Sequence, residues 1–124
     1  MTTATITWFE IPVRQLDRAQ TFYQALLGQS LRREDMGGSS LAVFPSAQGG
    51  AAGCLQAGPT AAEPSTQGSL VYLDTDEPMA VVLARVPALG GRVATPCTAL
   101  PPGMGCFAHI VDTEGNRVGL HAEH

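Results

Sequence analysis

Two stretches that begin half a chain length apart follow one plan. Trp8 to Gly28 reads WFEIPVRQLDRAQTFYQALLG, and Leu70 to Gly90 reads LVYLDTDEPMAVVLARVPALG. Both run over the same length from a strand-like opening to an apolar-Leu-Gly ending, although few identities link them. Self-similarity at a fixed offset marks a supersecondary unit used twice, and it restricts the fold more than any local motif.

Each unit opens with an alternating segment. Phe9, Ile11 and Val13 point one way and Trp8, Glu10 and Pro12 the other, as the two-residue strand period requires. A helix follows, with Leu16, Ala19, Phe22, Tyr23, Leu26 and Leu27 on one stripe and Gly28 as its left-handed stop. In the second unit Val71 and Leu73 oppose Leu70, Tyr72 and Asp74, and Asp76 is placed to cap a helix with Pro78 in its first turn. That helix buries Met79, Val82, Leu83, Val86 and Leu89, and Pro87 marks where its last turn loosens. Three shorter apolar runs come after each helix, over 29–36, 40–45 and 52–57, and over 91–98, 105–111 and 117–122. Each half therefore reads strand–helix–strand–strand–strand, giving an α+β protein. The expected layout is a single domain over 1–124, with module one at about 4–58, a Pro/Ala/Ser/Thr-rich linker at about 58–68 and module two at about 69–122.

Composition narrows the function classes. The 124 residues are 44% hydrophobic and 15% charged, which fits a globular chain. No apolar run approaches the ~20 residues of a membrane span, and no basic-then-apolar segment opens the chain, so a cytoplasmic protein without membrane partners is expected. Net charge is −4, and all seven basic residues are arginine. The absence of lysine removes Schiff-base chemistry and a P-loop lysine, and the scattered arginines form no nucleic-acid stripe. Cys54, Cys97 and Cys106 fit no zinc motif or disulfide framework. Gly49-Gly50-Ala51-Ala52-Gly53 lacks the strand–loop–helix setting of a phosphate cradle and reads as a turn. Asp112-Thr113-Glu114-Gly115-Asn116 lacks regular calcium-ligand spacing and reads as a hairpin turn.

With Trp8-Phe9-Glu10-Ile11-Pro12-Val13, Arg18-Ala19 and Phe22-Tyr23 near the start and HIVDTEGNRVGL near the end, the chain resembles the vicinal oxygen chelate superfamily. That superfamily includes glyoxalase I, bleomycin-resistance proteins and extradiol dioxygenases, and the uncharacterised glyoxalase-related branch is the most similar. The resemblance covers nearly the whole chain. It implies two tandem βαβββ modules forming curved mixed sheets around a cavity, and pairing into homodimers. Metal-dependent members place His, Glu or Gln ligands on the first and last strand of each module. By position those slots fall on Trp8, Cys54, Leu70 and Gly119, with Gln56 close to the second. Trp, Leu and Gly side chains do not coordinate a divalent cation, so the expectation is no metal centre and no cofactor.

Strand parity then names a cavity lining: Trp8, Glu10, Cys54, Gln56, Leu70, Tyr72, Phe107, His109 and His121. Aromatic walls with a few polar groups suit a small-molecule pocket. Glu10, beside Trp8 and Phe9, is the first candidate for a general base or a cation-binding carboxylate; the alternative is a hydrogen bond to a neighbouring strand or a place at the cavity mouth. His109 and His121 are candidates for acid/base work or for structural hydrogen bonds. Trp8 is either a stacking wall or core filling, and Cys54 either a nucleophile close to His109 or Glu10 or an inert thiol. Tyr72 is either a phenolic donor to a ligand or a rim residue. The reading is a metal-independent protein that binds a small molecule. The alternative is a lyase or isomerase using Glu10 or His109 with no metal or an atypical site, and a third possibility is a subunit whose cavity is vestigial.

Overall fold

A computed structural model of the chain describes residues 5–46 and 52–124. The first module contains β1 (Trp8–Pro12), α1 (Leu16–Leu27), β2 (Arg32–Met36), β3 (Ser39–Val43) and β4 (Ala52–Ala57). The second contains β5 (Tyr72–Asp74), α2 (Met79–Arg85), β6 (Arg92–Ala99), β7 (Cys106–Val111) and β8 (Arg117–Ala122). The strand orders are β1-β4-β3-β2 and β5-β8-β7-β6, so the two halves have one topology. In each sheet the first and last strands of the module pair in parallel and the other ladders are antiparallel. The α+β reading and the tandem βαβββ plan therefore hold. The turn expected over 49–53 lies mostly outside the described residues. No described helix is long and apolar enough to cross a membrane.

One hydrophobic core runs through both modules on the helix-covered faces of the sheets. From α1 it takes Leu16, Ala19, Phe22, Tyr23 and Leu26, from the sheets Ile11, Leu55, Ile110 and Leu120, and from α2 Met79 and Val82. Each large apolar side chain of this set stabilises the fold by about 1.5–3 kcal/mol relative to leaving it in water. Gly28 ends α1 in the left-handed conformation at φ 66°, its N–H donating to the Gln24 carbonyl. Asp76 does not cap α2. Pro78 occupies the N-cap position, in extended backbone and with no side-chain hydrogen bond, because the helix starts later than the acidic residue suggests.

The 112–116 hairpin turn does more than reverse the chain. Asp112 Oδ1 accepts from the N–H groups of Glu114 and Asn116, which closes the turn on itself. The buried Tyr23 hydroxyl donates to Asp112 Oδ2 at 2.6 Å. Glu114 Oε1 accepts from the Arg14 and Gln15 N–H groups at the start of α1, and Arg18 donates to both carboxylate oxygens. Asn116 donates to the Pro12 carbonyl. A turn of the second module thus satisfies the N-terminal donors of the helix in the first. Burial alone would raise the Glu114 pKa, but the Arg18, Gln15, Thr113 and Arg14 donors outweigh it and hold the carboxyl at about 2.

Candidate functional site

Each sheet has one face under the helices and one open face, and strand parity assigns the residues of the open faces. On the first sheet, Trp8, Glu10 and Pro12 stand beside Ala52, Cys54 and Gln56, which in turn adjoin Val43 and Leu41. Leu41, Val43 and Cys54 form a small apolar cluster separate from the main core. Trp8 is 42% exposed, so it is not core filling. Glu10 is exposed as well, and with Arg117 and Asn116 it lines a recess of about 200 Å³ where β1, the linker and the start of β8 meet.

On the second sheet the open face is built in three cross-strand rows. Arg92, Val111 and Arg117 form the first; Thr95, His109, Gly119 and Tyr72 the second; Thr98, Phe107, His121 and Asp74 the third. An irregularity in β6 between Val93 and Thr95, and another between Thr95 and Thr98, bring both threonines to this face. Tyr72, Phe107 and His109 gather into one aromatic group with ring centroids 5.3–6.3 Å apart. His109 Nε2 lies 2.7 Å from the Tyr72 hydroxyl, and Nδ1 lies 2.9 Å from Thr95 Oγ1 and 3.3 Å from an Arg117 guanidinium nitrogen.

The donor inventory assigns this network. A guanidinium only donates, so Nδ1 accepts, and the neutral imidazole carries its proton on Nε2. That proton is donated to the Tyr72 oxygen, which leaves the phenol's own proton available to another acceptor. Burial first, and then the Arg117 charge, lower the His109 pKa and keep the ring neutral. His121 sits apart from this group. Its Nε2 contacts the Met104 carbonyl at 2.8 Å and its Nδ1 the Asp74 carboxylate at 3.1 Å, and the first and then the second of these raise its pKa.

The nine residues named from sequence therefore do not line one enclosed cavity. Tyr72, Phe107 and His109 come together, with His121 directly across from Phe107 on the neighbouring strand; Trp8, Glu10, Cys54 and Gln56 share one face of the other sheet. Leu70 lines a different cleft, of about 750 Å³, with Phe9, Phe44 and one side of Tyr72. Sequence reasoning missed Thr95 and Arg117, which hold the imidazole. Their signal was parity, since both occupy rows defined by His109 and Val111.

The inherited metal slots do not fit a metal. Gly119 offers no side chain, and a Cβ there would collide with the Tyr72 ring lying across it. Trp8 and Leu70 carry no donor for a cation. Burial, and then the neighbouring Glu10 charge, push the Cys54 thiol up to about 11, which disfavours the thiolate a ligand or nucleophile needs. Among the described residues no three His, Cys, Asp or Glu side chains gather closely enough to hold an ion.

This architecture, two βαβββ modules with paired first and last strands, is that of the glyoxalase/bleomycin-resistance fold, the fold of the vicinal oxygen chelate superfamily. The sequence comparison agrees over the first module, where residues 5–44 match the family model described as bleomycin resistance protein-like N-terminal. Curated protein sequences give no match. Among solved structures, the antibiotic-binding protein TnmS3 from Streptomyces sp. CB03234 superposes with a TM-score of 0.69 at 21% identity, over 98% of both chains. A glyoxylase/bleomycin resistance protein/dioxygenase domain from Frankia sp. EAN1pec gives 0.68 at 18% identity, over 99% of this chain and 100% of that one. A mutant of glyoxalase I from Zea mays gives 0.65 at 22% identity; 94% of this chain is covered but only 46% of that one, so the chain spans about half the length of the plant enzyme.

Proposed function

We propose that the protein binds a small planar, at least partly aromatic molecule without a metal, on the open face of the second sheet. The observation that carries the reading is the Tyr72–His109–Thr95 network, which fixes an aromatic floor and leaves one phenolic donor free. A ring resting on Tyr72 and Phe107 gains apolar contact, and the hydroxyl sets its orientation. The absence of a fitting donor set at Trp8, Cys54, Leu70 and Gly119 supports metal independence. The similarity to an antibiotic-binding protein supports a small-molecule ligand.

The alternative, a lyase or isomerase with His109 or Glu10 as acid/base, draws on the same imidazole–phenol contact as a proton path. The assigned tautomer favours binding, because Nδ1 already accepts two hydrogen bonds and Nε2 keeps its proton. A fluorescence and thermal-shift titration with planar aromatics tests the reading. Tyr72→Phe should weaken binding severalfold by removing the donor, and Tyr72→Ala should abolish it, both with the fold retained by circular dichroism. Unchanged affinity in Tyr72→Ala would overturn it, and turnover of the bound compound would favour the enzyme.

A further inference from the structure

The sign of the ligand's charge is legible in how the arginines are used. Five of the seven have carboxylate partners: Arg14 with Glu63, Arg18 with Glu114, Arg32 with Glu34, Arg33 with Asp17 and Arg85 with Glu77. Arg92 and Arg117 have none within 4.0 Å among the described residues. Both are exposed, and they flank Val111 in one cross-strand row of the open face. In a chain of net charge −4, the two cations without a carboxylate stand on either side of Val111, in the row next to that of His109 and Tyr72. Scattered solubilising charges have no reason to share a row.

We infer that this face selects an aromatic molecule carrying a carboxylate or phosphate, its ring over the Tyr72 and His109 row and its acid group between Arg92 and Arg117. The inference rests on the aromatic-binding reading above and adds the charge. The two arginine backbones are separated by two strand spacings, roughly 10 Å, a span that two long guanidinium side chains can close on one acid group. One row further along, roughly 7 Å away, stand His109 and Tyr72, the separation between an acid group and the far side of a fused ring system. Arg117 already leans toward this row through its contact with His109 Nδ1. Guanidinium groups match carboxylate or phosphate oxygens with two parallel donors, and the free Tyr72 proton adds a further donor. The acidic groups nearby are otherwise placed. Glu63 is held by Arg14 and Asp74 by His121, while Glu10 faces the same recess as Arg117 but outside ion-pair distance.

The test uses three probes with one ring: 2-naphthoate, 2-naphthyl phosphate and the uncharged 2-naphthalenemethanol, titrated against the full chain and against Arg92→Gln and Arg117→Gln. Both positions are exposed, so the variants keep the fold, which their melting temperatures verify. The anions should bind roughly tenfold more tightly than the alcohol. Arg92→Gln should shrink that ratio severalfold and leave the affinity for the alcohol unchanged, while Arg117→Gln, which also removes a donor to His109, should lower the affinity for the anions more than that for the alcohol. Whichever anion binds more tightly identifies carboxylate or phosphate as the acid, and either result upholds the inference. Equal binding of all three probes, or an anion preference that survives both substitutions, overturns it while the aromatic reading stands. No binding of any probe overturns both.

Discussion

At the scale of single residues, the site is a matter of which polar atoms are already engaged. His109 is held from three directions and is neutral, so it orients Tyr72 more readily than it moves protons. Glu10 is the contrasting case, an exposed carboxylate facing Arg117 across a recess. Glu10→Gln should leave stability within about 0.5 kcal/mol, as surface substitutions usually do. It should also tighten 2-naphthoate binding by removing a like charge near the acid group. A urea midpoint and the same titration check both, and a stability loss above about 1 kcal/mol would instead assign Glu10 a structural hydrogen bond. Parity found Tyr72, Phe107 and His109 together because a two-residue period survives any sheet curvature. It did not find that Leu70 lines a separate cleft, because parity gives the face of a strand and not the recesses between elements. It passed over Arg92 and Arg117 because an arginine's significance lies in its missing partner, and partners belong to tertiary structure.

Elements show the same division. The helix stripe of α1 and its Gly28 stop were legible because a 3.6-residue apolar period and a left-handed glycine are local signals. The role of the 112–116 turn was not, since its carboxylates work on α1, about a hundred residues away in sequence. That joint gives a pH prediction. The Glu114 carboxyl, at about 2 in the fold against 4.5 ordinarily, contributes stability that is fully present above the ordinary value. The contribution is lost as pH falls through the folded value. From the shift it is of the order of 3 kcal/mol. Glu114→Gln should therefore cost about 2 kcal/mol at neutral pH, through the lost charge on Arg18 and the weakened helix start. Wild type and variant should converge in denaturation midpoint between about pH 5 and pH 2. A constant difference across that range would mean that packing, not the carboxylate charge, holds the joint. Tyr23→Phe removes the other buried bond of this turn and should cost about 1–3 kcal/mol without altering ligand binding.

For the whole molecule, the question is what covers the open faces. Trp8 at 42% exposure and Tyr72 at 49% are large apolar groups left in water, whereas Leu41, Val43 and Cys54 on the Trp8 side of the first sheet are already buried within the chain. The β2 and β6 edges are poorly suited to association. β2 is a run of Arg32, Arg33, Glu34 and Asp35 ending in Met36, and β6 carries Pro96 and two register shifts, features that discourage strand addition. Self-association should therefore use a face, and the Trp8 face of the first sheet is the apolar one not claimed by the ligand site. A 124-residue chain also gains proportionally more burial from pairing than a larger one would. Light scattering at micromolar concentration should give twice the 12.9 kDa chain mass. Because Trp8 is the only tryptophan, its emission reports the interface directly. It should shift to the red on dilution as the dimer separates and the indole meets water, and Trp8→Glu should hold the chain as a monomer with its helices intact. A dimer mass with concentration-independent, water-exposed Trp8 emission would move the interface to another surface, and a monomer mass would remove it.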